Sequence, residues 1–195
     1  VASLQEGVDR QARHRYIAAM TRNAETLPIL IAPDPALRRK ARAVTPADDA
    51  TIRALAPRML ATMYDAPGIG LAAPQVGVGL RLVVIDLGAD EKPAPMTLVN
   101  PQIVAASAER AIREEGCLSL PGQYADVARP ARVTVRYHDI EGVRHDIEAE
   151  GLLAACLQHE LDHLDGVLFI DHLTALKRNM LLRRLAKDLK QKAAG

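Results

Sequence analysis

Apolar positions recur along this chain with two different spacings, and these divide it into helices at either end and strands between them. From Thr45 to about Tyr64, residues Ile52, Leu55, Met59, Leu60 and Met63 recur every three or four positions, the stripe of a helix with one buried face. Thr45-Pro46-Ala47-Asp48 supplies its start: a hydroxyl cap, a proline at the first helical position and an acid in the first turn. Pro57 lies inside the pattern and predicts a kink or a break. Asp65-Ala66-Pro67-Gly68 closes the helix.

The middle of the chain has the shorter period. Arg81 to Asp86 and Thr97 to Pro101 read as strands, Ile103 to Arg113 carries a weaker strand signal, and Pro28 to Pro33 reads as a short extended segment. Glu114 to Gly122 is turn-rich. Arg132 to Tyr137 alternates, Asp139-Ile140-Glu141-Gly142 makes a turn, and Val143 to Ala149 alternates back, as an antiparallel hairpin does. Helical spacing returns from Leu152 to Leu164, with Gly166 as terminator, and again from Asp171 to Lys192. In the last helix Leu173, Leu176, Met180, Leu181, Leu185 and Leu189 are expected to face inward. Lys177, Arg178, Arg183, Arg184, Lys187, Lys190 and Lys192 would form a basic outer face. Strands flanked by helices predict a single α+β domain over 28–195, with 1–27 as an extension outside it.

Composition narrows the function classes. The chain has 195 residues, 49% of them hydrophobic, with no Trp and one Phe, so a large core must be aliphatic. A formal net charge of +1 lacks the basic excess of a general nucleic-acid binder, and no DNA partner is expected. No apolar run approaches the roughly 18 residues that a membrane helix needs. The first 27 residues mix Arg10, Arg13, Arg15 and Arg22 with Glu6, Asp9 and Glu25, and lack the apolar core of a secretory signal. Two cysteines, Cys117 and Cys156, are too few for a disulfide framework and read as reduced thiols of the cytoplasm.

The chemistry is concentrated in Gln158-His159-Glu160-Leu161-Asp162-His163. Histidines four apart share one helix face and can hold one metal ion, while Glu160 beside them can take a proton from water without being a ligand. A third ligand is needed. Zinc proteases of this pattern take it downstream from Glu or His, but no Glu follows Glu160, and Phe169 stands where an extended protease pattern has its final His. Asp165 is too close along the helix to join the same face easily, and Asp171 and His172 remain open but match no known pattern. Cys117, in the turn-rich segment, is the better candidate, because a Cys-His-His set leaves a fourth position open for water. A phosphate loop is the rival reading of Gly68 to Gly77, but no Lys-Ser/Thr pair completes it.

Gly68-Ile69-Gly70-Leu71-Ala72-Ala73-Pro74-Gln75, Glu115-Gly116-Cys117-Leu118-Ser119 and Gln158-to-His163 occur in this order, and together they resemble the three motifs of the peptide deformylases. The likeness extends from about Ile29 to Leu173. It implies antiparallel sheets packed around a central metal-binding helix, with an N-terminal helix and a C-terminal amphipathic helix. It further implies hydrolytic removal of the formyl group from the N-terminal formylmethionine of nascent peptides. By that resemblance, Cys117, His159 and His163 hold ferrous iron, which zinc, nickel or cobalt can replace, although ligand chemistry alone would suggest zinc. Glu160 would carry the proton, and the Gln75 side chain and the Leu118 N–H would stabilise the oxyanion. Ile69, Leu152 and Cys156 would wall the methionine pocket, Gly70 would let the peptide pair as an added strand, and Glu115 would orient a ligand or substrate group. Tyr124 stands at the pocket mouth, where many relatives carry Arg. The basic last helix is a candidate for docking on the ribosome.

Overall fold

A computed structural model describes residues 24–88 and 94–193, so the expected extension lies, up to residue 23, outside the described residues. Two antiparallel sheets and three α-helices account for most of this length. After a 3₁₀ turn at Pro46–Asp48 comes α1 (Asp49–Asp65). Then follow β1 (Gly70–Ala72), β2 (Leu82–Ile85), β3 (Met96–Ala106), β4 (Arg110–Cys117), β5 (Leu120–Pro130), β6 (Arg132–His138) and β7 (Arg144–Glu150). The chain ends in α2 (Gly151–Leu164) and α3 (Ala175–Ala193), separated by a 3₁₀ turn at Phe169–His172. A five-stranded sheet has the order β1-β2-β3-β6-β7, and β4 and β5 pair as a separate ribbon.

Strand alternation explains why α2 sits at the centre. On β2, Val83 and Ile85 point to one face and pack with Leu98, Val133 and Val135 against Ala154, Cys156, Leu157 and Leu164 of α2. Leu82 and Val84 point to the other face and meet Ile52, Leu55, Met59, Leu60 and Met63 of α1. The sheet is therefore covered on both sides, and β2 is fully buried. Met59 and Met63 have no solvent exposure, and burial of each such side chain contributes about 1.5–3 kcal/mol. A third cluster joins Leu120 and Val127 of β5 to Leu168, Phe169 and Ile170, closed by Leu185 of α3. No helix among the described residues is long and apolar enough to cross a membrane.

Several expectations need refinement. The start read at Thr45 is a 3₁₀ turn boxed by Thr45 and Asp48, α1 proper begins at Asp49, and Pro57 does not break it. Pro57 lies on the exposed side of the helix, which runs through it without interruption. The weak signal over 103–113 resolves into the end of β3 and the first half of β4, which reverse at Ser107–Glu109. Glu114 to Gly122 is less of a turn than expected: Cys117 ends a strand, and β5 restarts at Leu120. In α3, Leu176 and Met180 are 72% and 61% exposed rather than inward-facing. At 100° per residue they lie on the side opposite the buried Leu185, and Leu182 packs inward with Leu181 and Leu189 instead.

Candidate metal centre and active site

Helix geometry and the β4–β5 turn bring the ligand candidates together. His159 and His163 project from one face of α2, with ring centroids 5.0 Å apart, and both are buried. Cys117, at the end of β4, brings its Sγ within 3.2 Å of His163 Nε2. One ligand atom from each of Cys117, His159 and His163 falls within 4.8 Å of the others. Asp171 and His172 do not join them: Asp171 pairs with Arg38, and His172 with Asp162.

The donors fit a metal ion. His159 Nδ1 lies 2.8 Å from Glu115 Oε2, which fixes that nitrogen as the N–H donor and leaves Nε2 for ligation. Burial works against a charged His159, but the neighbouring Cys117 and Glu115 outweigh it and raise its pKa to about 10. The pocket thus favours positive charge at this point, which a cation would supply. Burial, reinforced by the charges of His159 and Arg129, holds His163 well below the ordinary histidine range, so its ring is a neutral ligand.

Behind His159 runs a buried network that the sequence did not reveal. Glu115 is 1% exposed and sits between His159 and Arg129, whose Nε and Nη2 reach its carboxylate at 2.5 and 3.0 Å. Arg129 Nη1 continues to Asp162 Oδ2 at 2.8 Å, and His172 Nε2 meets the same oxygen at 2.7 Å. Burial opposes ionisation of Glu115, yet the hydrogen bonds from His159 and Arg129 prevail and lower its pKa to about 2. Both oxygens of the Glu115 carboxylate are thus taken up by His159 and Arg129. A buried Arg on a strand requires a buried acid, and Asp162 lies three residues after His159 on the same helix. These signals could have pointed to the network, but pairing across β5 and α2 is not visible in the sequence.

In front of the ligands opens a cavity of about 430 Å³, lined among others by Ile69, Gly70, Gln75, Leu118, Tyr124, Cys156 and Glu160. Leu152 does not line it. Cys156 is buried, its thiol 3.9 Å from the Ile69 carbonyl, and burial raises its pKa well above the ordinary range, as suits an inert wall. The Gln75 amide is fixed at both ends. Its Oε1 accepts from the Ala72 N–H at 2.8 Å, so its Nε2 faces Ser119 Oγ at 3.2 Å and Cys117 Sγ at 3.6 Å. Ser119 was not singled out in the sequence beyond its place in the motif. Glu160 is 4% exposed, and its Oε2 has no hydrogen-bond partner among the described residues. Burial raises its pKa to about 7, near that of an efficient base at neutral pH.

The chain is similar in sequence and fold to known proteins. The family profile described as polypeptide deformylase matches residues 26–179. Peptide deformylases of Mesorhizobium japonicum and Rhizobium meliloti are each 55% identical, over 86% of this chain and 96% of theirs. A peptide deformylase crystal structure from Legionella pneumophila is 47% identical with a TM-score of 0.82, covering 87% of this chain and 99% of that one. One from Synechococcus elongatus, in complex with actinonin, is 46% identical with a TM-score of 0.76, covering 81% and 86%. The chain belongs to the peptide deformylases, metal-dependent hydrolases that remove the N-formyl group from nascent peptides.

Proposed function

We propose that Cys117, His159 and His163 hold a ferrous ion and that Glu160 is the proton carrier for hydrolysis of the formyl amide. The observation that carries this reading is the meeting of three ligand atoms with an unpaired, desolvated carboxylate at one cavity. When bound, the metal supplies a positive charge that acidifies water and polarises the formyl carbonyl. Glu160 takes the proton of the attacking water and returns it to the departing amine nitrogen, which leaves formate and a free N-terminal Met. The Gln75 Nε2 and the Leu118 N–H donate to the formyl oxygen as charge builds there. Ile69 and Cys156 wall the methionine pocket, and Tyr124 stands at its mouth.

Iron is assigned from the family, since one thiolate and two imidazoles would equally suit zinc, nickel or cobalt. Residues 28–195 form the catalytic domain and 1–27 an extension whose last residue, Leu27, packs on the α1 cluster; the family match begins at residue 26. Free thiols at Cys117 and Cys156 support a reducing cytoplasm. The outer face of α3, with Arg183, Arg184, Lys187 and Lys190 exposed, supports docking on the ribosome. The iron-loaded protein should release formate from a formyl-Met peptide and spare its acetyl counterpart. Equal turnover of both, or of neither, would refute the assignment.

A further inference from the structure

The family resemblance implies that Gly70 lets a substrate peptide approach and pair as an added strand, but the structure gives another reason for its small size. Gly70 opens β1, an edge strand paired, among the described residues, only with β2. Its backbone is not left-handed; among the described residues the glycines with positive φ are Gly77, Gly88, Gly122, Gly142, Gly151 and Gly166. Nothing in its conformation therefore requires glycine, and a strand glycine costs about 0.5–1 kcal/mol relative to Ala. A Cβ at this position would lie 2.5 Å from Glu160 Oε1 and 2.9 Å from both its Cδ and Cγ. The three nearest heavy atoms all belong to Glu160. With Oε2 lacking a partner among the described residues, the carboxylate takes its position from packing as much as from polar contacts.

We propose that Gly70 is a positioning residue: its bare Cα is the seat against which Glu160 rests beside the metal ligands. The inference rests on the reading of Glu160 as proton carrier. Gly68 plays the matching part for the oxyanion turn, since a Cβ there would stand 2.8 Å from Leu118 Cδ1. The paired glycines of this segment thus make room for the site's own side chains. What must yield to a methyl at Gly70 is the flexible end of Glu160, not backbone, so displacement of the carboxylate is the main consequence. Misplacing a reacting group by about 1 Å costs on the order of 100-fold in rate.

The test is a double-mutant cycle of Gly70→Ala and Glu160→Gln. Gly70→Ala should keep its metal and its Tm, lose roughly 100-fold in kcat, and change KM by less than about threefold. In the metal-free protein it should also shift the ¹³C resonance of the Glu160 carboxyl. Within the Glu160→Gln background, Gly70→Ala should cost less than about twofold. The same loss in both backgrounds, or a raised KM with kcat intact, would overturn the seat and restore substrate clearance as the role of Gly70. Full activity of Glu160→Gln alone would remove the proton-carrier reading, and the seat with it. Should Gly70→Ala fold poorly, adding Glu160→Ala should restore its Tm; failure to do so overturns the proposal.

Discussion

Glu160→Gln should make the metal-free protein more stable, and by an amount that grows with pH. Burial moves the Glu160 carboxyl from 4.5 to about 7. At about 1.4 kcal/mol per pKa unit, the ionised side chain costs the folded state about 3 kcal/mol. The sign follows from the raised value. The folded state holds this proton more tightly than the unfolded state, so the proton's stabilising contribution is complete below about 4.5 and is lost as pH rises through about 7. Glutamine keeps the shape and carries no charge. Its advantage should be about 1 kcal/mol at pH 5 and about 3 kcal/mol at pH 8. Urea denaturation of both metal-free proteins at the two pH values measures this difference. The same substitution should keep the metal and lower kcat by roughly 100- to 10,000-fold. An advantage that is absent, or equal at both pH values, would mean that Glu160 is not a desolvated carboxylate poised near neutrality.

Three further substitutions probe the surroundings. Glu115→Gln should weaken metal binding by roughly 10- to 100-fold, measured by competition with a chelator, because His159 loses the charged acceptor that orients it. Gln75→Ala should lower kcat by roughly 100- to 1,000-fold in steady-state assays with KM little changed, as loss of an oxyanion donor does. Gly166→Ala should destabilise the fold by at least about 2 kcal/mol in urea denaturation. Gly166 has φ +74°, and a Cβ there would stand 2.5 Å from the Arg38 carbonyl oxygen, a backbone atom that cannot swing away.

The sequence was most legible where one element carries the whole signal. The His159–His163 spacing, the Thr45 cap and the Arg132–Ala149 hairpin are each local patterns, and the structure contains each of them. β5 was not legible: Pro121 and Gly122 disguise its start, and its inward residues include Gln123 and Arg129, so no apolar alternation marks it. The network from Glu115 to His172 was hidden for a related reason. Its members come from β4, β5, α2 and the turn that follows, and only their meeting in space makes a buried arginine tolerable. The exposed Leu176 and Met180 show the limit of periodicity, which finds an apolar stripe but does not decide which of two adjacent stripes meets the core.

The central claim is that Cys117 completes the metal site on which the reaction depends. Anaerobic titration of the metal-free chain and its Cys117→Ala variant with ferrous ion, with bound metal and released formate measured in each sample, tests it most directly. The unaltered chain should hold a single ion tightly and release formate steadily from a formyl-Met peptide, and the variant should do neither. A variant that binds the ion as tightly and releases formate as fast would contradict it.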